Sequence, residues 1–254
     1  MKKALYILSA LILGLFLVFE LIGISLFSMA LPRSFYRRER IANEAAALNS
    51  HSLTEEQLEY VMDDTLKYLM GDGREYLDTV VVMPDGGEAH VFLRDTGPEE
   101  DRDIQPRHMK DVKAIFTAIR VMMIAGMFFI PLCVWAMLKL RKGENFKRFA
   151  AVFLCALGGL MAAAFIAMLA DFESAFDFFH HVLFSNEDWA LQWDDILIEM
   201  LPGSLFMKLG FRIGGVFVGL TAGLSLLVFF QDRIKKAGNA VLRKIKMKKK
   251  GAEK

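Results

Sequence analysis

The stretch Val121–Leu138, VMMIAGMFFIPLCVWAML, carries no charged residue over eighteen positions. About 20 apolar residues cross the hydrocarbon core of a bilayer as a helix, because each residue rises about 1.5 Å and the helix satisfies its own backbone polar groups. The helix through this stretch is expected to begin further back, near Val112. Outward from it lie three more apolar runs: Ala4–Leu31, broken only by Glu20, then Phe149–Ala170 and Ile213–Phe230. In a chain of 254 residues, 54% of them hydrophobic, four such runs read as membrane spans at 4–31, 112–139, 149–170 and 211–231. The first run is too long for a signal-peptide core, and Glu20 is atypical of one, so it is expected to remain as an anchor.

Net charge is only +1, which gives no bulk argument for a nucleic-acid partner, but the charge is sorted along the chain. Lys2 and Lys3 precede the first span. Arg141, Lys142, Lys147 and Arg148 fill the loop 140–148, and the tail 232–254 holds Arg233, Lys235, Lys236 and six more cations from Arg243 to Lys250. Four spans put these three segments on one side, and positive residues mark that side as the cytoplasm. Both termini are therefore expected in the cytoplasm, with the tail resting on anionic lipid. Segments 32–111 and 171–210 then form an extracytoplasmic cap, and all five histidines fall in them: His51, His90, His108, His180 and His181. The fold class expected is a mainly α membrane protein, four transmembrane helices under a small α+β cap.

Inside the cap, Thr54–Met70 reads as a helix with Thr54 as N-cap and Gln57 in capping-box position. Leu58, Val61, Met62, Thr65, Leu66 and Leu69 make its apolar stripe, and Gly71 and Gly73 end it. Thr79–Met83 and Ala89–Leu93 flank Pro-Asp-Gly-Gly and read as a β-hairpin, with His90 on it as an ordinary surface or packing residue. In the second cap segment Phe172, Phe176, Phe179, His180, Leu183 and Phe184 share a helical stripe opposite Glu173, Asp177 and His181. Such a helix suits the membrane interface, as do Trp189 and Trp193 after it.

Two histidine motifs carry the chemistry. Arg107-His108-Met-Lys-Asp111 stands directly before the second span, and Phe179-His180-His181-Val-Leu-Phe184 directly after the third. The topology brings both to the outer surface, and histidine is the side chain suited to proton transfer near neutral pH. Neighbours on a helix point about 100° apart, so His180 joins the aromatic stripe while His181 pairs with Asp177 on the polar side. The competing idea is a metal held by His108, His180, His181 and Asp111 or Asp171; no HExxH-like spacing supports it. Glu20 and Arg120 lie inside spans, where charges face partners or wet cavities, and they are expected to pair or to line a pocket below the cap. Gly215, Gly219 and Gly223 read as a helix-packing stripe, and Cys133 and Cys155 as small packing residues.

The chain resembles the lipoprotein intramolecular transacylases of Gram-positive bacteria and the wider membrane family around them. The matching features are His108-Met-Lys-Asp-Val112 and Phe179-His180-x-Val-x-Phe184 with Trp189 downstream, together with Asp195-Ile-Leu-Ile198, Leu201-Pro202, Phe35-Tyr36 and Tyr68-Leu69. The resemblance implies an enzyme of the bacterial plasma membrane that needs no cofactor. Its substrate would be a diacylated lipoprotein, whose sn-2 acyl chain moves to the α-amino group of the N-terminal cysteine, giving the lyso-form. His180 would serve as base and His108 as electrophilic and acid partner. Phe176, Phe179, Phe184, Trp189 and Trp193 would fold the substrate and exclude water, with Tyr36, Glu20 and Arg120 as further substrate-binding candidates. The alternatives are an acyltransferase or hydrolase acting on another lipid, and a non-catalytic scaffold or sensor.

Overall fold

The structure, a computed structural model, describes residues 2–42, 53–94, 98–140 and 144–252; the side chains of 40–42, 144–146 and 231–252 are not described. His51, Arg141, Lys142 and the side chains of the basic tail thus lie outside the described residues. The order is α1 (Lys2–Ala30), α2 (Arg33–Ala42), α3 (Glu55–Leu69), β1 (Val80–Val82), β2 (Glu88–His90), a 3₁₀ turn (Glu99–Asp101), α4 (Ile104–Leu140), α5 (Glu144–Ala170), α6 (Phe172–Leu183), α7 (Ile196–Met200) and α8 (Gly203–Ala252).

Four helices, α1, α4, α5 and α8, are long and apolar enough to cross a membrane. Their outward faces confirm the solvent they are made for: Leu11, Phe128, Leu160 and Phe229 are each about two-thirds exposed or more. Inside a bilayer such faces contact lipid rather than water. Helix α4 extends beyond the expected span at its N-terminal end, so His108 sits on a helical stem rather than in a loop. Pro106 is tolerated there because it lies in the first turn, where its missing N–H has no intrahelical partner anyway.

Helix α1 packs along α4 and touches α8, and α8 packs along α5. Close approach comes from glycines other than those expected. Gly23 lies against Met123, Gly126 against the Glu20 carboxylate, and Gly214 against the Phe165 ring, where an added Cβ would overlap. Gly215, Gly219 and Gly223 have open space beyond them, so the expected packing stripe faces away from the bundle. Glu20 and Arg120 also do not meet. Arg120 donates to the Met70 carbonyl and to Thr117 Oγ1, joining α4 to the end of α3. Glu20 meets α4 at Gly126, six residues and about 9 Å further along the helix.

The cap has one apolar core, in which Leu58, Val61, Leu77, Phe92, Ile196 and Met200 are almost fully enclosed and Met109 of α4 joins them. Helix α3 forms as its sequence requires, with the Thr54–Gln57 capping box complete in both directions. Gly71 and Gly73 take φ of 91° and 93°, a left-handed backbone that residues with a Cβ avoid. The hairpin is antiparallel with Val81 opposite Ala89. Its strands are shorter than the apolar runs that announced them, and Gly86 at φ 85° closes the turn.

A buried ion pair joins the two cap segments. Arg94 donates through Nε to Asp195 Oδ1 at 2.8 Å and through Nη2 to Oδ2 at 2.5 Å, with both side chains below 10% exposure. Beneath it Gln105 of α4 donates to the Phe92 carbonyl at 3.3 Å and accepts from Leu197 N–H at 3.1 Å. Arg94→Ala leaves the Asp195 carboxylate buried without its cation and should cost about 3–5 kcal/mol, and Asp195→Ala should cost less, because Arg94 keeps Asp101 at 3.9 Å. The double replacement Arg94→Met with Asp195→Leu should recover most of that. Thermal unfolding of the three proteins in detergent checks the order.

Candidate active site

Helix α6 begins at Asp171, whose side chain caps it by accepting from Ser174 N–H at 3.1 Å. That cap sets the phase that turns Phe176 and His180 inward, leaving Phe178, Phe179 and Val182 more than half exposed on an apolar outer face. His180 is 7% exposed, and His181 beside it is exposed. The stem of α4 presents His108 to the same space. The two imidazole centroids are 6.0 Å apart.

An aromatic wall surrounds them. Phe176 is 4.0 Å from the His180 ring and Phe179 5.5 Å, while Trp189 stacks on His180 at 5.0 Å. Phe184 touches both histidines from one side, 5.1 Å edge-on to His108 and 5.7 Å from His180. The turn carrying Trp189 is tied down by its neighbours. Arg107, next to His108, grips Asp188, next to Trp189, at 3.1 and 3.2 Å. Asn186 donates to Asp111 at 2.8 Å, one turn along the stem. These two bridges were not anticipated from the sequence. Opposite charges immediately beside the two supposed site residues were the available signal.

Hydrogen bonding settles the tautomer of His180. Its Nδ1 lies 2.8 Å from the Phe176 carbonyl, which can only accept, so Nδ1 carries the proton and Nε2 keeps its lone pair. His108 Nδ1 and Trp189 Nε1 are buried without a partner among the described residues. Buried polar atoms are ordinarily paired, which makes these two ring nitrogens, on residues that both neighbour His180, candidates to meet a polar group. Burial pushes the His108 pKa down to about 4, helped by the neighbouring His180 and opposed by Asp111 and Asp188. Burial lowers His180 too, against its bond to the Phe176 carbonyl and the charge of Asp177. Both rings are therefore neutral at pH 7.

The remaining candidates lie elsewhere. The Tyr36 hydroxyl donates to the Ala30 carbonyl at 2.6 Å inside the cap core, and Trp193 is 80% exposed. Glu20 and Arg120 are placed as described above. His181 donates through Nδ1 to the backbone carbonyl of Asp177 at 2.8 Å rather than to its carboxylate, and meets Trp189 edge-on at 5.0 Å. Asp171 is occupied as a helix cap and Asp111 by Asn186, so the alternative metal set is not assembled. No group of three or more metal-binding side chains converges among the described residues.

The described residues form a four-helix membrane protein that brings two histidines within 6.0 Å of each other among aromatic rings. The chain belongs to the lipoprotein intramolecular transacylase Lit family, whose model matches residues 8–206, and is by that membership an acyltransferase. Its fold is that of the solved membrane-integral transacylase Lit from Bacillus cereus, at 21% identity and a TM-score of 0.66, covering 91% of this chain and 99% of that one. Two further structures of the Bacillus cereus protein match comparably. One has a histidine replaced by arginine (20% identity, 93% and 96% covered, TM-score 0.63) and one has it replaced by alanine (21% identity, 93% and 97% covered, TM-score 0.62). No curated protein matches the chain.

The depressed histidine pKa values couple to stability. Between the unfolded value of 6.5 and about 4, unfolded chains take up protons that the folded site refuses. This contribution is complete above pH 6.5 and is lost as pH falls toward 4. The drop in unfolding temperature between pH 7 and pH 5 should be smaller for His108→Phe than for the unsubstituted protein, measured by thermal unfolding in detergent at both pH values.

Proposed function

We propose that the His108–His180 pair moves the sn-2 acyl chain of a diacylglyceryl lipoprotein onto the α-amino group of its N-terminal cysteine. The observation that carries this reading is the pairing of a histidine lone pair, His180 Nε2, with a second neutral imidazole 6.0 Å away in a chamber walled by aromatic rings. The amine attacks the ester carbonyl, forming the C–N bond, and its proton passes to His180 Nε2. The bond to the glycerol oxygen breaks, and His180 returns the proton to that oxygen. The products are an amide and a free hydroxyl, with no net change at the enzyme. His108, held neutral, polarises the ester by hydrogen bonding rather than supplying the proton. Trp189 Nε1–H is a second unpaired donor for the developing oxyanion.

Donor and acceptor belong to one molecule, so positioning provides much of the acceleration. Water would divert the ester to hydrolysis, and Phe176, Phe184 and Trp189 exclude it. An amine of pKa about 8 has a sufficient neutral fraction at physiological pH for attack.

The same reading places the cap outside the plasma membrane, where the α-amino group of an anchored lipoprotein resides. Both termini are then cytoplasmic, with the basic tail against anionic lipid; the sorting of lysine and arginine supports this. The lipid-like outer face of α6, with Phe178, Phe179 and Val182 exposed, gives a substrate in the membrane an apolar approach to His180.

The test is mass spectrometry of N-terminal lipopeptides from a host whose lipoproteins are diacylated with a free amine. The unsubstituted protein should yield lyso-form peptides. His108→Ala and His180→Ala should each lower the yield rate by roughly 10²- to 10⁴-fold. Well-expressed protein with no lyso-form product would refute the substrate, and full activity in either variant would refute the mechanism.

A further inference from the structure

Beside the cap hairpin lies a cavity of about 630 Å³ that neither site histidine lines. Glu88, Ala89 and His90 of β2 and the following Val91 line one side, Gln192 and Asp195 line another, and Gln105 also reaches it. Two of these residues connect the cavity to the site. Gln105 stands three residues before His108, so their side chains share one face of α4 with Cβ atoms about 5–6 Å apart. Gln192 follows Trp189 by three residues on the tethered turn. The cavity thus opens about one helical turn outward from His108.

Among the described residues, the hairpin register leaves one edge of β2 without a strand partner. Met83 N–H donates to the Gly87 carbonyl at 2.8 Å and Val91 N–H to the Thr79 carbonyl at 3.1 Å, with Val81 opposite Ala89 between them. Residues 87, 89 and 91 therefore direct their backbone groups at β1. The Glu88 N–H and C=O and the His90 N–H point to the opposite edge, while the His90 carbonyl accepts from Leu93. Among the described residues the sheet has two strands only.

We propose that this cavity binds the polypeptide of the substrate, the residues following the lipidated cysteine, as an extended segment added to the free edge of β2. The proposal rests on the transacylase reading above. An α-amino group held at the histidine pair fixes the start of the polypeptide there. The chain cannot continue into hydrocarbon, where its backbone groups would be unpaired. Running outward at about 3.3 Å per residue, its second and third residues reach the cavity. Pairing through main-chain groups accepts any side-chain sequence, and the cavity volume falls within the usual range for ligand clefts of about 300–1,000 Å³.

Diacylglyceryl-cysteine peptides of one, two, three and five residues, given to the purified full chain, test this. A second set of five-residue peptides is N-methylated at residue 2 or at residue 3. We expect kcat/KM to rise about tenfold or more from one to five residues, as two or three main-chain hydrogen bonds are added. Alternate residues of a strand face its neighbour, so methylation at one of the two positions should abolish most of the gain. Glu88→Pro removes an outward N–H without breaking a bond to β1, and should bring the long-to-short ratio toward one. Equal kcat/KM at all lengths, or no loss at either methylated position, overturns the proposal while leaving the transacylase reading intact. No turnover of any peptide overturns both.

Discussion

Backbone polar groups left unpaired in hydrocarbon are costly, and that constraint shapes the parts of this protein far from the membrane as well. It requires each crossing segment to be a continuous helix. In α4 the helix does not stop at the membrane surface but runs on into the cap, carrying Gln105, His108, Asp111 and Arg120 in fixed phase. A histidine on a rigid stem cannot drift as one on a loop would. The cap is assembled against that stem: Met109 enters the cap core, Gln105 bonds both cap segments, and Arg120 bonds the end of α3. The second histidine arrives from α6, whose start is fixed by Asp171 at the end of α5.

The site joins a helical stem to a capped interfacial helix, and charges outside the chamber hold the two together. Arg107–Asp188 and Asn186–Asp111 bridge the stem to the turn bearing Trp189, while Arg94–Asp195 secures the next few residues. The chamber itself holds rings and neutral imidazoles. This division has a physical logic. Ion pairs at its rim position the walls, and their absence from the interior lets burial keep both histidines uncharged. A neutral imidazole can accept a proton from an amine, whereas an imidazolium cannot.

The glycines and the intramembrane charges show where a one-dimensional reading reaches its limit. Gly215, Gly219 and Gly223 form a regular stripe, yet α5 packs one residue away, at Gly214 against Phe165. A shift of one residue rotates a helix face by about 100°, and no spacing pattern says which face a neighbour will use. Glu20 and Arg120 both stand in the cap-side halves of their apolar helices. Arg120 finds a backbone carbonyl at the end of α3, however, because its long guanidinium side chain reaches the polar cap, while Glu20 of α1 lies against Gly126, further along α4 from the cap.

The sequence by itself determined the four spans, the helix and hairpin of the cap and the inward phase of His180. These depend on local quantities: run length, the 3.6-residue and two-residue periods, and capping residues a few positions apart. It also singled out both site histidines, since each stands beside a span in an aromatic or charged motif. Only the tertiary structure decided that His108 and His180 face each other, that Trp189 covers one of them, and that Tyr36 belongs to the cap core. The two histidines stand 72 positions apart. They follow from how the stem, the interfacial helix and the tethered turn pack together, which no local pattern encodes.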